Sequence, residues 1–176
     1  MKALLAIDYQ NDFFNRELFF DKDKNMDFIE RSIKKIKEFR EKNGIIITTQ
    51  DWHRKNDVEF HQWPEHCIKN TYGSELIPEV KEVLENYSNH IEIKKKRYSA
   101  FYGSDLDEII KKNEISTFYV IGLVSNVCVL FTVEDIINRG MKAIVYEDLV
   151  LGYDEFLHKY SLIQMEKVLG AEVTYA

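Results

Sequence analysis

Short apolar runs alternate with amphipathic segments along the whole chain, and this alternation leaves few folds open. Runs without polar residues are typical of central strands in a parallel sheet, whose connections need a helix on the way back. The predicted strands are 3–7, 45–49, 90–93, 117–121, 141–146 and 172–175. We therefore predict a doubly wound α/β fold with a mostly parallel, six-stranded sheet and helices on both faces.

The predicted helices follow from apolar residues that recur every three or four positions. We predict them at 28–42, 78–84, 105–112, 126–139 and 155–169. Ser125 or Asn126 is the predicted N-cap of the fourth helix, and Gly122 is predicted to end the strand before it. Glu147 and Asp148 are predicted to follow the end of the fifth strand.

Length and composition restrict the class of protein further. The chain has 176 residues, which suits a single domain over 1–176. A net charge of −6 argues against non-specific binding of nucleic acid, and no apolar run is long enough to span a membrane. Two cysteines, Cys67 and Cys128, fit a reducing compartment. We expect a cytoplasmic protein with neither nucleic acid nor membrane as a partner.

Cys128 has the sequence setting of a reactive thiol. It lies just after a predicted strand, in the first turn of the predicted helix at 126–139. Free backbone N–H groups and the positive end of a helix favour a thiolate, and the same N–H groups can hold an oxyanion. The structural alternative is that Cys128 is a small buried apolar residue.

Further reactive side chains stand at the ends of other predicted strands. Asp8 follows the first strand, and Lys95 shares a strand face with Ile91 and Ile93. The carboxyl ends of parallel strands gather at one edge of a sheet, where ligands bind. A set of Asp8, Lys95 and Cys128 would let the carboxylate accept the thiol proton and the ammonium lower the thiol pKa. The simpler interpretation is that Asp8 is a turn residue and that Lys95 is a lysine exposed to solvent.

A second set of side chains suits a metal ion. Asp51 and His53 lie on one side of an extended segment, and His66 follows in a long loop at 54–73. Two histidines and a carboxylate are ligands for one divalent ion, such as Zn²⁺, Fe²⁺ or Mn²⁺. Surface histidines are the structural alternative.

Four segments in this order resemble the nicotinamidase branch of the isochorismatase-like cysteine hydrolases. Together they cover nearly the whole chain, and they are the segments around Asp8–Phe13, Asp51–His53 with Trp63–Cys67, Lys95–Phe101 and Gly122–Cys128. The sequence departs from the family pattern at Ser125 and Asn126, where Thr and Asp are frequent.

The resemblance implies the isochorismatase-like hydrolase fold and a role for each motif residue. It makes Cys128 the nucleophile with Asp8 and Lys95, and it implies a cis peptide bond at Leu123–Val124 beside the oxyanion. It assigns the metal, with zinc as the first choice, to Asp51, His53 and His66, with Glu59, His61 or water as the fourth ligand. Phe13, Trp63 and Tyr98 match residues that line the ring pocket, and a homo-oligomer is usual in the family.

The implied reaction is hydrolysis of nicotinamide to nicotinate and ammonia through a thioester on the cysteine. The alternative is a cysteine hydrolase of the same fold that acts on another amide, such as an N-carbamoyl compound or a ureide. An inactive interaction subunit and an isochorismatase that cleaves a vinyl ether are less consistent with the presence of Asp8, Lys95 and Cys128 together.

Overall fold

A computed structural model describes residues 1–176 as a six-stranded, all-parallel sheet covered by helices. None of the helices has the length and apolar character that crossing a membrane requires. The strands are β1 (Lys2–Ile7), β2 (Ile45–Asp51), β3 (His90–Lys95), β4 (Thr117–Leu123), β5 (Lys142–Leu151) and β6 (Glu172–Thr174). The α-helices are α1 (Met26–Glu41), α2 (Pro78–Leu84), α3 (Leu106–Asn113), α4 (Leu130–Asn138) and α5 (Glu155–Ile163).

The strand order determines where a site can form. The order is β3-β2-β1-β4-β5-β6, so the chain builds outward from β1 to β3 and then returns to place β4 beside β1. The carboxyl ends of β1 and β4 therefore flank the point at which the direction of winding reverses. In doubly wound sheets, ligands bind in the crevice at this point.

Successive residues of β1 point into two separate cores, one on each face of the sheet. Leu5 packs in a cluster with residues of α3 and α4, such as Leu106 and Val133. Leu4 packs in the opposite cluster with residues of α1 and α2. This arrangement explains the unbroken apolar run of β1, because a strand covered by helices on both faces has no solvent side. The predicted fold class is confirmed.

The fourth strand continues beyond Gly122 to Leu123, so the prediction that Gly122 ends it is wrong. A Cβ atom on Gly122 would lie 2.2 Å from the carbonyl oxygen of Ile7 in β1. The residue also has a φ of +121°, which L side chains rarely adopt. Glycine is needed here for the close approach of the two central strands, at a register shift between β4 and β5.

The fifth strand also runs further than predicted, through Glu147 and Asp148 to Leu151. Its pairing with β6 ends at Tyr146. Beyond that residue this side of β5 is a free edge, where acidic side chains remain partly exposed to solvent. Polar residues therefore interrupt the apolar pattern without ending the strand.

Two predicted helices begin or end in π-helical turns. Ser125–Val129 forms one such turn before α4, and Gln164–Val168 forms another after α5. Neither Ser125 nor Asn126 caps the helix, because the turn begins with Val124 in the N-cap position and no side chain bonds to its N–H groups. The predicted N-cap is wrong, and the Ser125 hydroxyl bonds instead to His158 in α5.

Candidate active site

Asp8, Lys95 and Cys128 meet at the carboxyl edge of the sheet, beside the point where the winding reverses. The Lys95 ammonium lies 2.8 Å from Asp8 Oδ2 and 3.4 Å from Cys128 Sγ. Acceptor atoms of Asp8 and Cys128 lie within 4.8 Å of each other. Lys95 is fully buried, whereas its neighbours Lys94 and Lys96 are exposed. The strand phase that singled out Lys95 in the sequence thus matches its burial.

The end of β1 holds the Asp8 carboxylate in place. Asp8 has a φ of +57°, and its backbone N–H donates to the Thr49 carbonyl oxygen in β2. The Thr49 hydroxyl donates to Asp8 Oδ1 at 2.6 Å, which leaves Oδ2 directed at Lys95. The contact with Thr49 was not predicted from the sequence, because the strand neighbours of β1 were not known.

Burial governs the protonation of this set. It raises the pKa of Asp8 from 3.8 to about 6, although Lys95 opposes the rise. Burial would lower the pKa of Lys95, but Asp51 and Asp8 raise it well above its ordinary value. Burial also raises the pKa of the Cys128 thiol well above its ordinary value, against the attraction of Lys95. The expected low thiol pKa is therefore not found, and the thiol needs an adjacent base to lose its proton.

Asp51, His53 and His66 converge in a buried cluster, and Glu59 completes it. Their donor atoms all lie within 4.8 Å of one another. Asp51 Oδ2 is 3.9 Å from the Nε2 atoms of both histidines, and Glu59 Oε1 is 3.7 Å from His53 Nε2. Of the alternatives for the fourth position, Glu59 is buried in the cluster, whereas His61 is exposed on the surface.

The chemistry of this cluster fits a divalent metal ion. His53 Nε2 and Glu59 Oε2 are buried without a hydrogen-bond partner, an expensive state for groups that have no ligand, whereas His53 Nδ1 lies 3.4 Å from Asp57 Oδ2. Burial lowers the pKa of His53, and burial together with the Asp51 charge raises the pKa of Glu59 to about 7. His66 Nδ1 lies 2.7 Å from the Pro64 carbonyl oxygen, which leaves Nε2 for the cluster.

Asp51 connects the two groups of residues. One of its carboxylate oxygens pairs with the Lys95 ammonium, and the other faces the histidines. The side-chain amide of Gln10 fixes the Asp51 backbone, since Gln10 Nε2 donates to the Asp51 carbonyl and Gln10 Oε1 accepts from its N–H. Gln10 is fully buried, and it was not singled out in the sequence although it lies two residues after Asp8.

Aromatic side chains form a pocket over both groups. Eight of the eleven side chains that line it are hydrophobic. The predicted Phe13, Trp63 and Tyr98 all line it, and the Trp63 indole N–H donates to the Tyr98 hydroxyl at 3.0 Å. The other residues of its wall are Phe19, Asp51, Glu59, His66, Val124, Val127, Cys128 and Tyr153.

Phe19 and Tyr153 are pocket residues that the sequence analysis missed. Tyr153 follows the carboxyl end of β5 by two residues, and it could have been found if that strand had not been predicted to end too early.

The Leu123–Val124 peptide bond is cis, and Val124 contributes to the pocket wall. A larger open groove lies between α1 and α2, but it is lined mainly by lysine and glutamate side chains and holds no nucleophile.

Fold and site together define an α/β protein with a buried thiol, acid and amine beside an aromatic pocket. Comparison with known proteins gives the family, since the family model described as the Isochorismatase domain matches residues 2–176. The chain belongs to the isochorismatase family. The predicted family and the prediction of a hydrolase are confirmed.

Several solved structures share this fold over nearly the whole chain. Nicotinamidase/pyrazinamidase PncA from Bacillus subtilis has a TM-score of 0.89 at 27% identity and covers 98% of each chain. Pyrazinamidase of Pyrococcus horikoshii in complex with zinc has a TM-score of 0.87 at 27% identity, over 99% of each chain. N-carbamoylsarcosine amidase from Thermoplasma acidophilum has a TM-score of 0.84 at 30% identity, over 99% of this chain and 95% of that one.

Proposed function

We propose that this protein is a metal-dependent nicotinamidase that hydrolyses nicotinamide to nicotinate and ammonia through a thioester on Cys128. One observation carries the proposal: a single small aromatic pocket contains both the Cys128 thiol and the Asp51, Glu59 and His66 donors. A flat heteroaromatic ring would stack against these aromatic walls, with its ring nitrogen at the donor cluster and its carboxamide at the thiol. The similarity to named nicotinamidases and pyrazinamidases supports the same substrate class.

The donor cluster is the proposed metal site. Asp51, His53, Glu59 and His66 would hold the ion, and this mixture of imidazoles and carboxylates suits Zn²⁺ first, with Fe²⁺ or Mn²⁺ as alternatives. The bound ion would supply a Lewis acid to which the ring nitrogen of the substrate binds. The similarity to a pyrazinamidase that binds zinc supports this assignment.

The first half of the reaction forms the thioester. Asp8 accepts the Cys128 proton, and the thiolate attacks the carboxamide carbon. The Lys95 ammonium lies within 3.4 Å of both groups, so it stabilises the negative charge on Asp8 before the proton transfer and on the sulfur after it. The backbone N–H groups of Val124 and Cys128 are the proposed donors to the oxyanion. Asp8 then gives its proton to the departing nitrogen, so that ammonia leaves and the acyl group stays on sulfur.

The second half regenerates the thiol. Asp8 removes a proton from a water molecule, and the resulting hydroxide attacks the thioester carbon. Collapse of this intermediate breaks the carbon–sulfur bond and releases nicotinate. The proton on Asp8 returns to the Cys128 sulfur. A pKa of about 6 lets Asp8 act as base and as acid in turn near neutral pH.

The competing substrate class is an N-carbamoyl compound or a ureide. Such substrates have no aromatic ring for the pocket walls and no pyridine nitrogen for the donor cluster, so the site favours nicotinamide. A small-molecule amide is the proposed partner in either case. The homo-oligomer that the family resemblance implies stays a prediction, which light scattering of the purified protein tests.

The test compares ammonia release from nicotinamide and from N-carbamoylsarcosine, with metal content measured on the same preparation. We expect release from nicotinamide at about one metal ion per chain, loss of release after chelation and recovery on adding Zn²⁺. Ammonia release from N-carbamoylsarcosine alone would refute nicotinamide as the substrate and would still support an amide hydrolase. Full activity on nicotinamide without any bound metal would contradict the role of the donor cluster.

A further inference from the structure

Three elements meet beside the π-helical turn that carries the proposed nucleophile. The Ser125 hydroxyl, at the start of the π-helical turn that carries Cys128, lies 3.0 Å from His158 Nδ1 in α5. Gly152, just after β5, lies against both side chains. A Cβ atom there would be 2.7 Å from Ser125 Oγ and 2.8 Å from His158 Cβ. The absence of a side chain at Gly152 is what allows the Ser125–His158 pair to form.

The position of His158 is itself well determined. Asp154 is the N-cap of α5, and its carboxylate accepts a hydrogen bond from the Leu157 N–H at 2.8 Å. The His158 N–H then bonds to the Asp154 carbonyl at 2.9 Å, in the first turn of the helix. A capped helix start of this kind gives the imidazole a defined place from which to hold another element.

Ser125 is the first residue of the π-helical turn that contains Cys128. The Val124 carbonyl accepts hydrogen bonds from the N–H groups of both Val127 and Val129, which encloses Cys128 in the turn. Ser125 is fully buried, so its hydroxyl needs a partner within the protein. Burial lowers the pKa of His158, which favours the neutral ring with a nitrogen able to accept from that hydroxyl.

We propose that His158 is a positioning residue for the reaction: through Ser125 it fixes the π-helical turn and thereby the place of the Cys128 sulfur beside Lys95. It touches neither substrate nor reacting atoms. The expected effect of His158 on turnover rests on the proposed function, the hydrolysis of nicotinamide. Its basis is the hydrogen bond from α5 to the first residue of the turn, together with the lack of a Cβ atom at Gly152.

The test uses variants that separate the hydrogen bond from the packing of the ring. In His158→Asn the side-chain amide can occupy the place of Nδ1, whereas in His158→Gln it reaches toward the place of Nε2. We expect His158→Ala to lower kcat by about ten- to hundredfold, the usual cost of a small displacement of a reacting group. KM for nicotinamide and metal content should stay within about twofold of the wild type, because the pocket and cluster residues are untouched.

Asn at this position should restore most of kcat, and Gln should not. The Ser125→Ala variant should lose as much as His158→Ala, and the double variant no more than either, because the two residues act as a pair. Lys159→Ala is the matched control on the same helix, since Lys159 is exposed and pairs only with Glu155. A wild-type kcat in His158→Ala, or an Asn variant as impaired as Ala, would overturn the proposal.

A second readout does not depend on the substrate. The rate at which iodoacetamide alkylates Cys128, followed by peptide mass spectrometry to distinguish it from Cys67, reports the thiolate beside Lys95. We expect about tenfold slower alkylation in His158→Ala, because a displaced sulfur loses part of the stabilisation of its thiolate by Lys95, and recovery in His158→Asn. If the wild type releases no ammonia from nicotinamide, the proposed function fails, and this rate alone decides the role of His158. Equal alkylation rates in the wild type and His158→Ala would refute that role.

Discussion

At the scale of single residues, the site depends on charges that are held out of water. Asp8, Lys95 and Asp51 are all buried, and the one ammonium pairs with both carboxylates. Ion pairs of this kind seldom add stability relative to apolar side chains of the same size. Their presence at the carboxyl edge of the sheet fits the proposed chemical task, namely taking a proton from the Cys128 thiol and returning it.

The protonation of Asp8 predicts an acidic limb in the pH profile. Asp8 must be ionised to accept the thiol proton, and its pKa is raised to about 6 by burial. Activity should therefore be lost as pH falls through about 6, and it should level off above that value. The measurement is kcat/KM for nicotinamide between pH 4.5 and 8, because the pH dependence of this ratio reports the pKa values of essential groups in the free enzyme. A flat profile across pH 6 would argue against Asp8 as the base.

The ligand assignment predicts opposite behaviour for two nearby histidines. His53→Ala should release the metal and raise KM for nicotinamide, because it removes a buried nitrogen from the donor cluster. His61→Ala is the matched control and should change neither quantity, because His61 lies exposed outside the cluster. Metal content and KM are measured on both variants. An unchanged metal content in His53→Ala would refute the assignment.

At the scale of secondary-structure elements, the sequence pattern predicted which elements exist better than it predicted where they begin and end. The bounds of α2 agree with the predicted 78–84, since Pro78 begins the helix and its apolar side chains recur at helical spacing. The extension of β5 was missed because partner strands, which are invisible to sequence pattern, decide where polar residues can be tolerated. The π-helical turn at Ser125 was missed because one extra residue in a turn leaves no distinct apolar spacing.

Replacing Gly122 by alanine is expected to cause a large loss of stability in this part of the sheet. The substitution Gly122→Ala places a Cβ atom 2.2 Å from the Ile7 carbonyl oxygen at a φ of +121°. We expect the free energy of unfolding to fall by about 3 kcal/mol or more, since both strain and overlap act on central strands. Gly140→Ala is the matched control: φ is +75°, yet no atom lies within 4 Å of the added Cβ.

The control should lose only about 1 kcal/mol, the cost of the backbone conformation alone. Urea unfolding of the three proteins gives the comparison. Equal losses in the Gly122 and Gly140 variants would show that the close approach of β1 and β4 is not what requires glycine.

At the scale of the whole molecule, the topology brings distant motifs together. Asp8, Asp51, Lys95 and Cys128 lie at or just after the carboxyl ends of four neighbouring strands, and these ends share one edge of the sheet. The sequence predicted that these residues meet, because alternating strands and helices imply parallel strands. It did not predict the strand order, and for this reason it missed Gln10, Thr49 and His158, which hold the site through contacts across the fold.

The single domain predicted from chain length has a direct test in unfolding. One sheet runs from residue 2 to residue 174, so urea should unfold the protein in one cooperative transition. Zn²⁺ at about one hundred times its Kd should raise the stability by about 2.7 kcal/mol, because the donor cluster exists only in the folded chain. Fluorescence and circular dichroism followed together make the measurement. Two separate transitions, or no shift with metal, would contradict this account.

The claim on which all the others depend is that the Cys128 sulfur forms the bond to the substrate. The most direct measurement is the rate of ammonia release from nicotinamide by Cys128→Ala beside the wild type, at matched metal content. We expect no release above background from the variant, with its fold and metal intact, because the lost sulfur leaves the pocket and the donor cluster in place. Release by the variant at a rate near that of the wild type would contradict a thioester mechanism and remove Cys128 from the reaction.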